Sequence, residues 1–293
     1  MDLFGTGLAG TVLLCVTISL FSCIRRRGQS DRAVKPEAVD ISSFKQHGEW
    51  AIVTGCTDGI GKEIAITLHG MGYKIILVSR TEAKLRAMSE ELPGSVYVVL
   101  DYSEPDFSAL EESVADKKIG VLVNNAGAFY TDSDTLDRLS KKEIHNILMT
   151  NVLSTTLVMR IVMKRMNQVY REGSKMGLIL SISSGSSLFP CPLLSVYAAS
   201  KAYLNHLMLC LKYEYPQFLF QTLTPFYIAT KMSRYAANNT TIPSVKMYIA
   251  EAFSNIDGRL KAGYQYHDTG IDVFNGMPEE RVGEYMYNTN KVT

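Results

Sequence analysis

The stretch T-G-C-T-D-G-I-G-K at residues 54–62 decides the fold. It follows a short apolar run at residues 50–54 and opens a helical pattern. Glycine permits a tight turn and lets bare backbone N–H groups approach a pyrophosphate at the positive end of a helix. The G-x-x-x-G-x-G spacing is not the G-x-G-x-x-G of the usual dinucleotide fingerprint. A plain strand-to-helix turn is the alternative, but it needs one glycine rather than three.

Short apolar runs alternate with helical stretches along the rest of the chain. The runs are mostly β-branched and aliphatic, without polar alternation, which is typical of strands buried on both faces of a parallel sheet. Strands are predicted at residues 50–54, 75–79, 96–100, 121–124, 178–182 and 218–224. Helices are predicted at residues 62–71, 82–92, 107–115, 143–170 and 196–215. This alternation predicts an α/β fold, a doubly wound parallel sheet of the Rossmann type with its ligand crevice at the carboxyl ends of the strands.

Composition and charge exclude several functional classes. The 293 residues include 30 Lys+Arg and 29 Asp+Glu, so the formal net charge of +1 provides no field to hold nucleic acid. A hydrophobic fraction of 46% excludes a disordered or fibrous chain. The five cysteines form no C-x-x-C pair and share no ligand spacing with the histidines. We therefore expect neither a disulfide scaffold nor a metal site.

An uncharged apolar segment at residues 3–24 predicts a transmembrane helix. At about 1.5 Å per residue it is roughly 33 Å long, enough for a hydrocarbon core of about 30 Å. Three arginines follow at residues 25–27, and this positive charge places the rest of the chain in the cytoplasm. A cleaved signal peptide is the competing interpretation, but it needs basic residues before the apolar run and small residues after it.

These observations divide the chain into four parts. We predict a membrane anchor at residues 1–27 and a polar tether at residues 28–48. The dinucleotide-binding catalytic domain follows at residues 49–257, because no linker rich in Pro, Gly or Ser interrupts it. Residues 258–293 belong to the same domain and are candidates for a substrate lid.

A phenol and an ammonium group stand four residues apart at Tyr197 and Lys201, on one face of the predicted helix. A tyrosine with the usual pKa near 10 is a poor proton shuttle at neutral pH. A neighbouring ammonium favours the phenolate, so we expect Lys201 to lower the pKa of Tyr197 toward the range useful for acid–base catalysis. For an isolated pair, an aromatic core residue beside a surface lysine is the alternative.

The end of the second predicted strand indicates the cofactor. A dinucleotide site for NAD expects an acidic residue there, whereas this strand ends in V-S-R with Arg80. An arginine fork suits a 2′-phosphate and favours NADP(H). A solvated surface arginine is the alternative. Asp58 stands in the glycine loop, where a basic residue would strengthen the preference.

Several motifs together resemble the short-chain dehydrogenase/reductase family over about residues 48–235. They occur in the family's order: T-G-x-x-x-G-x-G at 54–61, N-N-A-G at 124–127, Asn151, I-S-S at 182–184 and Y-x-x-x-K at 197–201. Other strings are similar to the branch that contains 17β-hydroxysteroid dehydrogenase type 3 and very-long-chain 3-oxoacyl-CoA reductase (type 12): T-D-G-I-G-K at 57–62, I-S-S-G at 182–185, P-C-P-L at 190–193 and A-T-K-M at 229–232. The resemblance implies NADP(H) as cofactor and a single-pass endoplasmic reticulum membrane protein with a cytoplasmic catalytic domain.

The resemblance also implies roles for individual residues. The implied cofactor-binding residues are Gly55, Thr57, Asp58, Gly59, Ile60, Gly61, Arg80, Asp101, Asn125, Gly127, Tyr197, Lys201 and Thr230. The implied catalytic residues are Asn151, Ser184, Tyr197 and Lys201. Ser184, rather than Ser183, stands at the family's separation from the tyrosine. In this scheme Ser184 binds the carbonyl oxygen, Tyr197 delivers the proton, Lys201 binds the nicotinamide ribose and Asn151 holds a relay water.

The sequence therefore predicts an NADPH-dependent oxidoreductase that reduces a lipid-like ketone, either a 17-ketosteroid or a 3-oxoacyl-CoA, with Tyr197 as general acid. Apolar residues suggest the lipid-like substrate, with ordinary core packing as their alternative: Leu188, Phe189, Pro190, Leu193, Leu194, Phe226, Tyr227 and Ile228. Reduction of retinaldehyde or another small carbonyl is a rival, as is a catalytically silent, membrane-tethered NADP-binding scaffold. A serine hydrolase is disfavoured because no G-x-S-x-G surrounds Ser184. The family also suggests a homodimer formed through the two long helices.

Overall fold

The computed structural model describes residues 37–130, 132–169, 177–238 and 240–292. Within them, seven parallel strands form one sheet in the order β3-β2-β1-β4-β5-β6-β7. The strands are β1 Trp50–Thr54, β2 Lys74–Ser79, β3 Val96–Val99, β4 Ile119–Asn124, β5 Leu178–Ile182, β6 Leu219–Leu223 and β7 Leu260–Lys261. All six predicted strands are present with small shifts at their ends, and the Rossmann-type sheet is confirmed. The short β7 was not predicted.

The helices lie between the strands, as the alternating pattern predicts. They are α1 Gly59–Gly70, α2 Glu82–Glu91, α3 Ser108–Val114, α4 Lys141–Leu148, α5 Thr155–Val169, α6 Ser195–Glu214, α7 Val245–Phe253, α8 Gln265–Asn275 and α9 Glu279–Val292. The single helix predicted at residues 143–170 is in fact α4 and α5 joined by a π-helix, Met149–Ser154. A π-turn inside a helical run is frequently found at a functional site.

The strand order places the crevice. β1 pairs with β2 on one side and with β4 on the other, so the direction of the chain across the sheet reverses between β1 and β4. Ligands of open parallel sheets bind outside the carboxyl ends of the strands at such a switch point. The glycine loop follows β1 and the N-N-A-G loop follows β4. Both loops therefore meet at this crevice.

The sheet is buried on both faces. Along β1, Ala51 and Val53 join the cluster that contains Ile64 of α1, whereas Ile52 joins the opposite cluster with Val162 of α5. All five side chains are fully buried. Burial of one large aliphatic side chain stabilises a protein by about 1.5–3 kcal/mol, so these two layers fix the sheet beneath the crevice.

The packed domain begins before residue 49, where the sequence had placed its start. A 3₁₀-helix, Ile41–Gln46, buries Ile41 and Phe44 in the core. The Tyr73 hydroxyl donates to the Ile41 carbonyl at 2.7 Å, and the Val39 N–H donates to the Ile256 carbonyl at 2.7 Å. This part of the predicted tether therefore belongs to the domain, because its apolar side chains Ile41 and Phe44 are buried in the core. The predicted anchor at residues 1–27 lies outside the described residues.

One helical stretch among the described residues, Lys141–Gln168, is long and apolar enough to cross a membrane. This holds by length and composition only. Of its most apolar 18 residues, 56% are buried inside the protein. The stretch includes α5, whose Val158, Val162 and Met166 pack on the sheet, as a core helix does.

Candidate active site

The glycine loop fits tightly against the loop that follows β4. Gly55 has a φ of +62°, and a side chain there would place its Cβ 2.9 Å from the Cα of Ala126. A Cβ at Gly61 would lie 2.3 Å from both the Asn125 amide nitrogen and the Gly55 carbonyl oxygen. Both distances are shorter than real Cβ contacts. Glycine is therefore required at these positions by the packing of two loops, and the first turn of α1 stays bare toward the crevice.

Asn125 joins these two loops. Its side-chain amide donates to the carbonyls of Thr54 at 3.0 Å and Gly55 at 3.1 Å. In return, the Thr54 hydroxyl oxygen accepts from the N–H groups of Asn125 and Ala126, both at 3.0 Å. Asn125 thus supports the glycine loop through hydrogen bonds.

Asp58 occupies the start of α1. Its carboxylate accepts from the Gly59 N–H at 2.9 Å and receives Lys231 Nζ at 2.8 Å. The hydrogen bond from Lys231 is the main cause that holds the pKa of Asp58 below its usual range. Thr230 lies on the same side, because a Cβ at Gly59 would be 3.4 Å from its methyl group. The segment after β6 therefore covers the glycine loop, and Asp58, Thr230 and Lys231 line a cavity of about 570 Å³ there.

Arg80 and Asp101 lie at the neighbouring ends of β2 and β3. Asp101 accepts from the N–H and the hydroxyl of Ser103, which are the main causes of its lowered pKa, and the charge of Arg80 lowers it further. Arg80 is exposed. Thr57 is joined to the end of β2 by a 3.0 Å contact between its hydroxyl and that of Ser79. The exposed Arg80 thus follows the end of β2 that contacts the glycine loop, the region where the adenosine ribose binds in dinucleotide folds.

The remaining predicted cofactor residues are less exposed to the crevice. Ile60 is partly buried and packs against the core cluster of α1. Gly127 lies farther along, toward the second group of site residues, since a Cβ there would be 3.3 Å from Lys201 Nζ and 3.5 Å from Asn151 Oδ1. The loop after β4 therefore connects the two groups.

Asn151 lies on the π-helix and clamps Ala128. Its side-chain oxygen accepts from the Ala128 N–H at 2.7 Å and its amide donates to the Ala128 carbonyl at 3.0 Å. The same amide donates to the Ser200 hydroxyl at 3.0 Å, and Ser200 donates to the Tyr197 carbonyl at 2.7 Å. Asn151 therefore ties the loop after β4 to the helix that carries Tyr197 and Lys201.

Tyr197 and Lys201 are both buried on α6, and the pKa of Tyr197 differs from the sequence prediction. Burial raises the pKa of Tyr197 to about 12, while the Ser184 side chain lowers it by a smaller amount. Burial also lowers the pKa of Lys201 to about 8. Lys201 Nζ donates to the Ile182 carbonyl at 3.0 Å and lies 5.8 Å from the centre of the Tyr197 ring, over its face.

The prediction that Lys201 lowers the pKa of Tyr197 is therefore wrong. Burial opposes ionisation of the phenol, and the ammonium lies over the ring rather than at the hydroxyl. A phenol with such a pKa is protonated at neutral pH. The side chain that acts to lower the pKa of this phenol is that of Ser184, which precedes a short 3₁₀-helix, Gly185–Ser187, directly after β5.

Two aromatic residues that the sequence analysis missed hold Tyr197 in place. Phe129 packs edge-on against the Tyr197 ring with 4.7 Å between ring centres. The Tyr130 hydroxyl oxygen accepts from the N–H groups of Val196 at 2.9 Å and Tyr197 at 3.2 Å. The N-cap residue Leu194 provides no side-chain hydrogen bond, so Tyr130 replaces the missing cap of α6. No spacing in the sequence indicates this role, because the partners are more than 60 residues apart.

The C-terminal helices cover the loop before α6. Val282 and Met286 of α9 share an apolar cluster with Cys191, Leu194 and Tyr197. From α8, Phe274 packs 5.1 Å from Phe189 and 6.1 Å from Phe226, measured between ring centres. The segment thus forms an apolar wall next to Tyr197.

The structure brings the predicted residues together in two groups along one crevice. One end, the proposed cofactor end, contains Gly55, Thr57, Asp58, Gly59, Gly61, Arg80, Asp101, Asn125 and Thr230. The other end, the proposed catalytic end, contains Gly127, Asn151, Ser184, Tyr197 and Lys201. Within the described residues, no group of three His, Cys, Asp or Glu side chains is placed to hold a metal ion. The bare helix start, the exposed guanidinium and the buried ammonium together fit a dinucleotide better than a metal or a nucleic acid.

Comparison with known proteins agrees with this geometry. The model of the family described as short chain dehydrogenase matches residues 49–241. Inactive hydroxysteroid dehydrogenase-like protein 1 of Homo sapiens is 36% identical over 252 residues, 80% of this chain and 74% of that protein. Very-long-chain 3-oxoacyl-CoA reductase of Homo sapiens is 31% identical over 304 residues, 99% of this chain and 92% of that protein.

Solved structures share the fold. An alcohol dehydrogenase from the archaeon Thermococcus sibiricus, complexed with 5-hydroxy-NADP, is 25% identical with a TM-score of 0.61, covering 70% of this chain and 88% of that one. A 3-ketoacyl-(acyl-carrier-protein) reductase from Brucella melitensis, complexed with NADH, is 22% identical with a TM-score of 0.64, covering 73% and 97%. Proteins of this fold thus bind nicotinamide cofactors of both kinds.

Proposed function

The chain belongs to the short chain dehydrogenase family, and from this premise we propose that it is an NADPH-dependent reductase of a lipid-like ketone, a 17-ketosteroid or a 3-oxoacyl-CoA. One observation carries the proposal. Ser184 follows β5, Tyr197 and Lys201 lie on α6, and Asn151 lies on the π-helix. The four residues nevertheless lie at one end of the crevice. A binding protein without turnover does not require all four of these side chains.

The proposed reaction is the reduction of a ketone to an alcohol. When bound, NADPH supplies a hydride to the carbonyl carbon and leaves as NADP⁺. Ser184 donates a hydrogen bond to the carbonyl oxygen, and Tyr197 gives that oxygen its phenolic proton as negative charge develops. Lys201 binds the nicotinamide ribose, and Asn151 holds the water that returns a proton to Tyr197. Donors aimed at an oxygen that becomes anionic stabilise the transition state more than the ground state.

The protonation state of Tyr197 supports reduction. Its pKa of about 12 keeps the phenol protonated at neutral pH, which is the form that reduction requires. The pKa of Lys201, about 8, allows a mixture of charged and neutral forms near physiological pH. Among the described residues, no acidic side chain pairs with Lys201. Its charged form is therefore free to bind the ribose of the cofactor.

NADP(H) rather than NAD(H) is the proposed cofactor. Arg80 is exposed at the end of β2, and no acidic residue replaces it there. The planar guanidinium forms paired hydrogen bonds with phosphate. Asp58, the residue that seemed unfavourable, is engaged by Gly59 and Lys231. Its charge is therefore partly neutralised before a phosphate approaches.

The apolar wall supports a lipid-like substrate. Phe189, Phe226 and Phe274 pack as a group, and α9 packs over the same loop, so we propose residues 258–293 as the substrate lid. The proposed anchor at residues 3–24 would hold the domain, on the cytoplasmic side of the endoplasmic reticulum membrane, next to lipid-borne ketones. Exposed apolar side chains on α6, Leu209 and Tyr213, support a homodimer through the long helices.

A catalytically silent NADP-binding scaffold is the second candidate. It is favoured by the human relative, whose name calls it inactive. Reduction of retinaldehyde or another small carbonyl is a further alternative within the enzymes. The site of this chain argues for turnover, because the phenol, the serine hydroxyl and the buried ammonium are all present.

The test uses the full chain purified in detergent. Oxidation of NADPH and of NADH is measured with steroid ketones, 3-oxoacyl-CoA esters and retinaldehyde, with Tyr197→Phe as the control. We expect NADPH oxidation with one of the first two substrate classes and none in the control. A preference for NADH would overturn the assignment of Arg80. No oxidation with any ketone, together with tight NADPH binding, would leave the scaffold.

A further inference from the structure

The hydroxyl oxygen of Ser184 receives two hydrogen bonds from one neighbouring residue, Ser186. Its oxygen accepts from the Ser186 hydroxyl at 2.9 Å and from the Ser186 N–H at 3.2 Å. A serine hydroxyl has two acceptor lone pairs and one donor proton. Both acceptor positions are therefore filled by Ser186, and the remaining capacity of Ser184 is its proton.

That proton has to point away from Ser186. The Ser184 side chain also interacts with the Tyr197 phenol and acts to lower its pKa, although burial has the larger and opposite effect. A hydrogen bond lowers the pKa of a phenol when it is donated to the phenol oxygen, because it stabilises the phenolate. The donor role that the two bonds from Ser186 leave to Ser184 has the same sign as its effect on the pKa of Tyr197.

The position of Ser186 is fixed by the turn in which it lies. It is 7% exposed and lies in the 3₁₀-helix Gly185–Ser187. The turn is closed by the Ser187 N–H, which donates to the Ser184 carbonyl at 3.0 Å, and by the Gly185 N–H, which donates to the Pro225 carbonyl at 2.8 Å. A Cβ at Gly185 would lie 2.5 Å from the Phe226 ring, so the turn cannot move toward the sixth strand. The backbone thus holds the Ser186 hydroxyl against Ser184.

We propose that Ser186 is a positioning residue that fixes Ser184 as the hydrogen-bond donor to the substrate carbonyl. The inference rests on the proposed function. Without the Ser186 hydroxyl, one lone pair of Ser184 is free, and its proton is no longer restricted to one direction. Because the donor remains but is correctly oriented for only part of the time, the loss of rate is smaller than for removal of Ser184.

The adjacent Ser187 provides a matched control. It is the same residue type in the same turn, but its hydroxyl donates to the Ser184 backbone carbonyl and accepts from the Asn205 amide at 2.7 Å. It makes no hydrogen bond to the Ser184 hydroxyl. Loss of Ser187 therefore tests the stability of the turn without changing the direction of the Ser184 proton.

The experiment compares Ser186→Ala, Ser186→Thr, Ser187→Ala and Ser184→Ala in the full chain. Removal of an oxyanion donor costs about 10²–10³ in kcat, so we expect that loss for Ser184→Ala and about tenfold for Ser186→Ala. The KM for NADPH stays within about twofold in both, because neither hydroxyl lies at the cofactor end. Ser186→Thr retains the hydroxyl and keeps kcat near wild type, and Ser187→Ala does the same.

A second measurement does not need turnover. Tyrosine labelled with ¹³C at the hydroxyl-bearing ring carbon reports hydrogen bonding to the phenol, and Tyr197→Phe identifies the Tyr197 signal. We expect this signal to move in Ser186→Ala and to stay in place in Ser187→Ala. Wild-type kcat in Ser186→Ala, an equal loss in Ser187→Ala, or an unmoved Tyr197 signal would overturn the inference. If the wild type reduces no ketone, the proposed function fails, and the signal of Tyr197 still decides the role of Ser186.

Discussion

The two ends of the crevice differ in how many parts of the chain form them. At the cofactor end, one continuous stretch supplies the turn, the helix start and Asp58, and its close fit comes from missing side chains at Gly55 and Gly61. At the catalytic end, Ser184, Asn151 and Tyr197 arrive from three separate elements. They are held by side-chain hydrogen bonds such as those of Asn151 to Ala128 and Ser200.

This difference separates binding from chemistry. The cofactor end depends on backbone shape, so added volume should damage affinity there. The catalytic end depends on single hydroxyl and amide groups, so removal of one atom should damage rate there while the cofactor still binds. Each of the following variants is designed to break this division or to sharpen it.

The largest effect is expected for Tyr197→Phe. It removes one hydroxyl from the catalytic end without changing the shape of the site, and general acid catalysis contributes typically 10²–10⁴-fold. We expect kcat to fall by about 10³-fold, while the Kd for NADPH, measured by fluorescence titration, stays near wild type. Normal turnover in this variant would remove Tyr197 from the mechanism.

Gly61→Ala should damage the cofactor end. Its Cβ would lie 2.3 Å from Asn125 Nδ2 and the Gly55 carbonyl, so the two loops must separate. Overpacking of this kind costs about 1–3 kcal/mol of unfolding free energy, and we expect NADPH binding to weaken by about 10- to 100-fold. The control is Gly70→Ala at the end of the same helix, where a Cβ meets nothing within 4 Å. Equal losses in the two variants would contradict the proposed fit of the loops.

Tyr130→Phe should reduce rate more than affinity. It leaves the N–H groups of Val196 and Tyr197 without their acceptor and lets the first turn of α6 shift. Loss of a cap costs about 0.5–2 kcal/mol, and we expect kcat to fall by about tenfold with an unchanged Kd for NADPH.

The matched control for this variant is Tyr248→Phe. It also removes a buried tyrosine hydroxyl bonded to the backbone, at 2.9 Å from the Ala262 carbonyl, but it lies away from α6. We expect a comparable drop in Tm with kcat unchanged. If the control lost as much kcat, Tyr130 would act through stability alone.

The smallest effect is expected for Lys231→Ala at the cofactor end. The Asp58–Lys231 pair is 2.8 Å long, but the lysine side chain is 83% exposed, and exposed pairs contribute little. We expect NADPH affinity to change by less than about threefold at pH 7. Lys246→Ala, an exposed lysine outside the ion pairs of the described chain, serves as control.

The pH dependence of this pair has a definite sign. The pKa of Asp58 is lowered in the folded protein, mainly by Lys231, so any contribution of the pair is present above the unfolded pKa near 4. It is lost as the pH falls through the lowered folded value. The difference in Tm between wild type and Lys231→Ala should therefore be constant from pH 5 to 8 and shrink below about pH 4. A difference that grows on acidification would contradict the pairing.

The prediction from sequence worked best where the structure is local. The strands at residues 50–54 and 178–182 have the bounds seen in β1 and β5. Hydrophobic runs report burial on both faces, and the glycines report a turn. The π-helix escaped prediction, because apolar periodicity does not detect one wider turn inside a long helical pattern. The predicted anchor at residues 3–24 lies outside the described residues and stays a prediction.

The sequence by itself determined the order of strands and helices, the glycine turn and the presence of the phenol, the ammonium and the serine hydroxyl, since each depends on residues near one another in the chain. Only the tertiary structure decided how those groups behave. Burial on α6 raised the pKa of Tyr197 instead of lowering it. Tyr130 reached α6 from the loop after β4, and Ser186 filled the acceptor positions of Ser184. Desolvation and hydrogen-bond direction depend on what surrounds a group in space, and residue spacing does not contain that information.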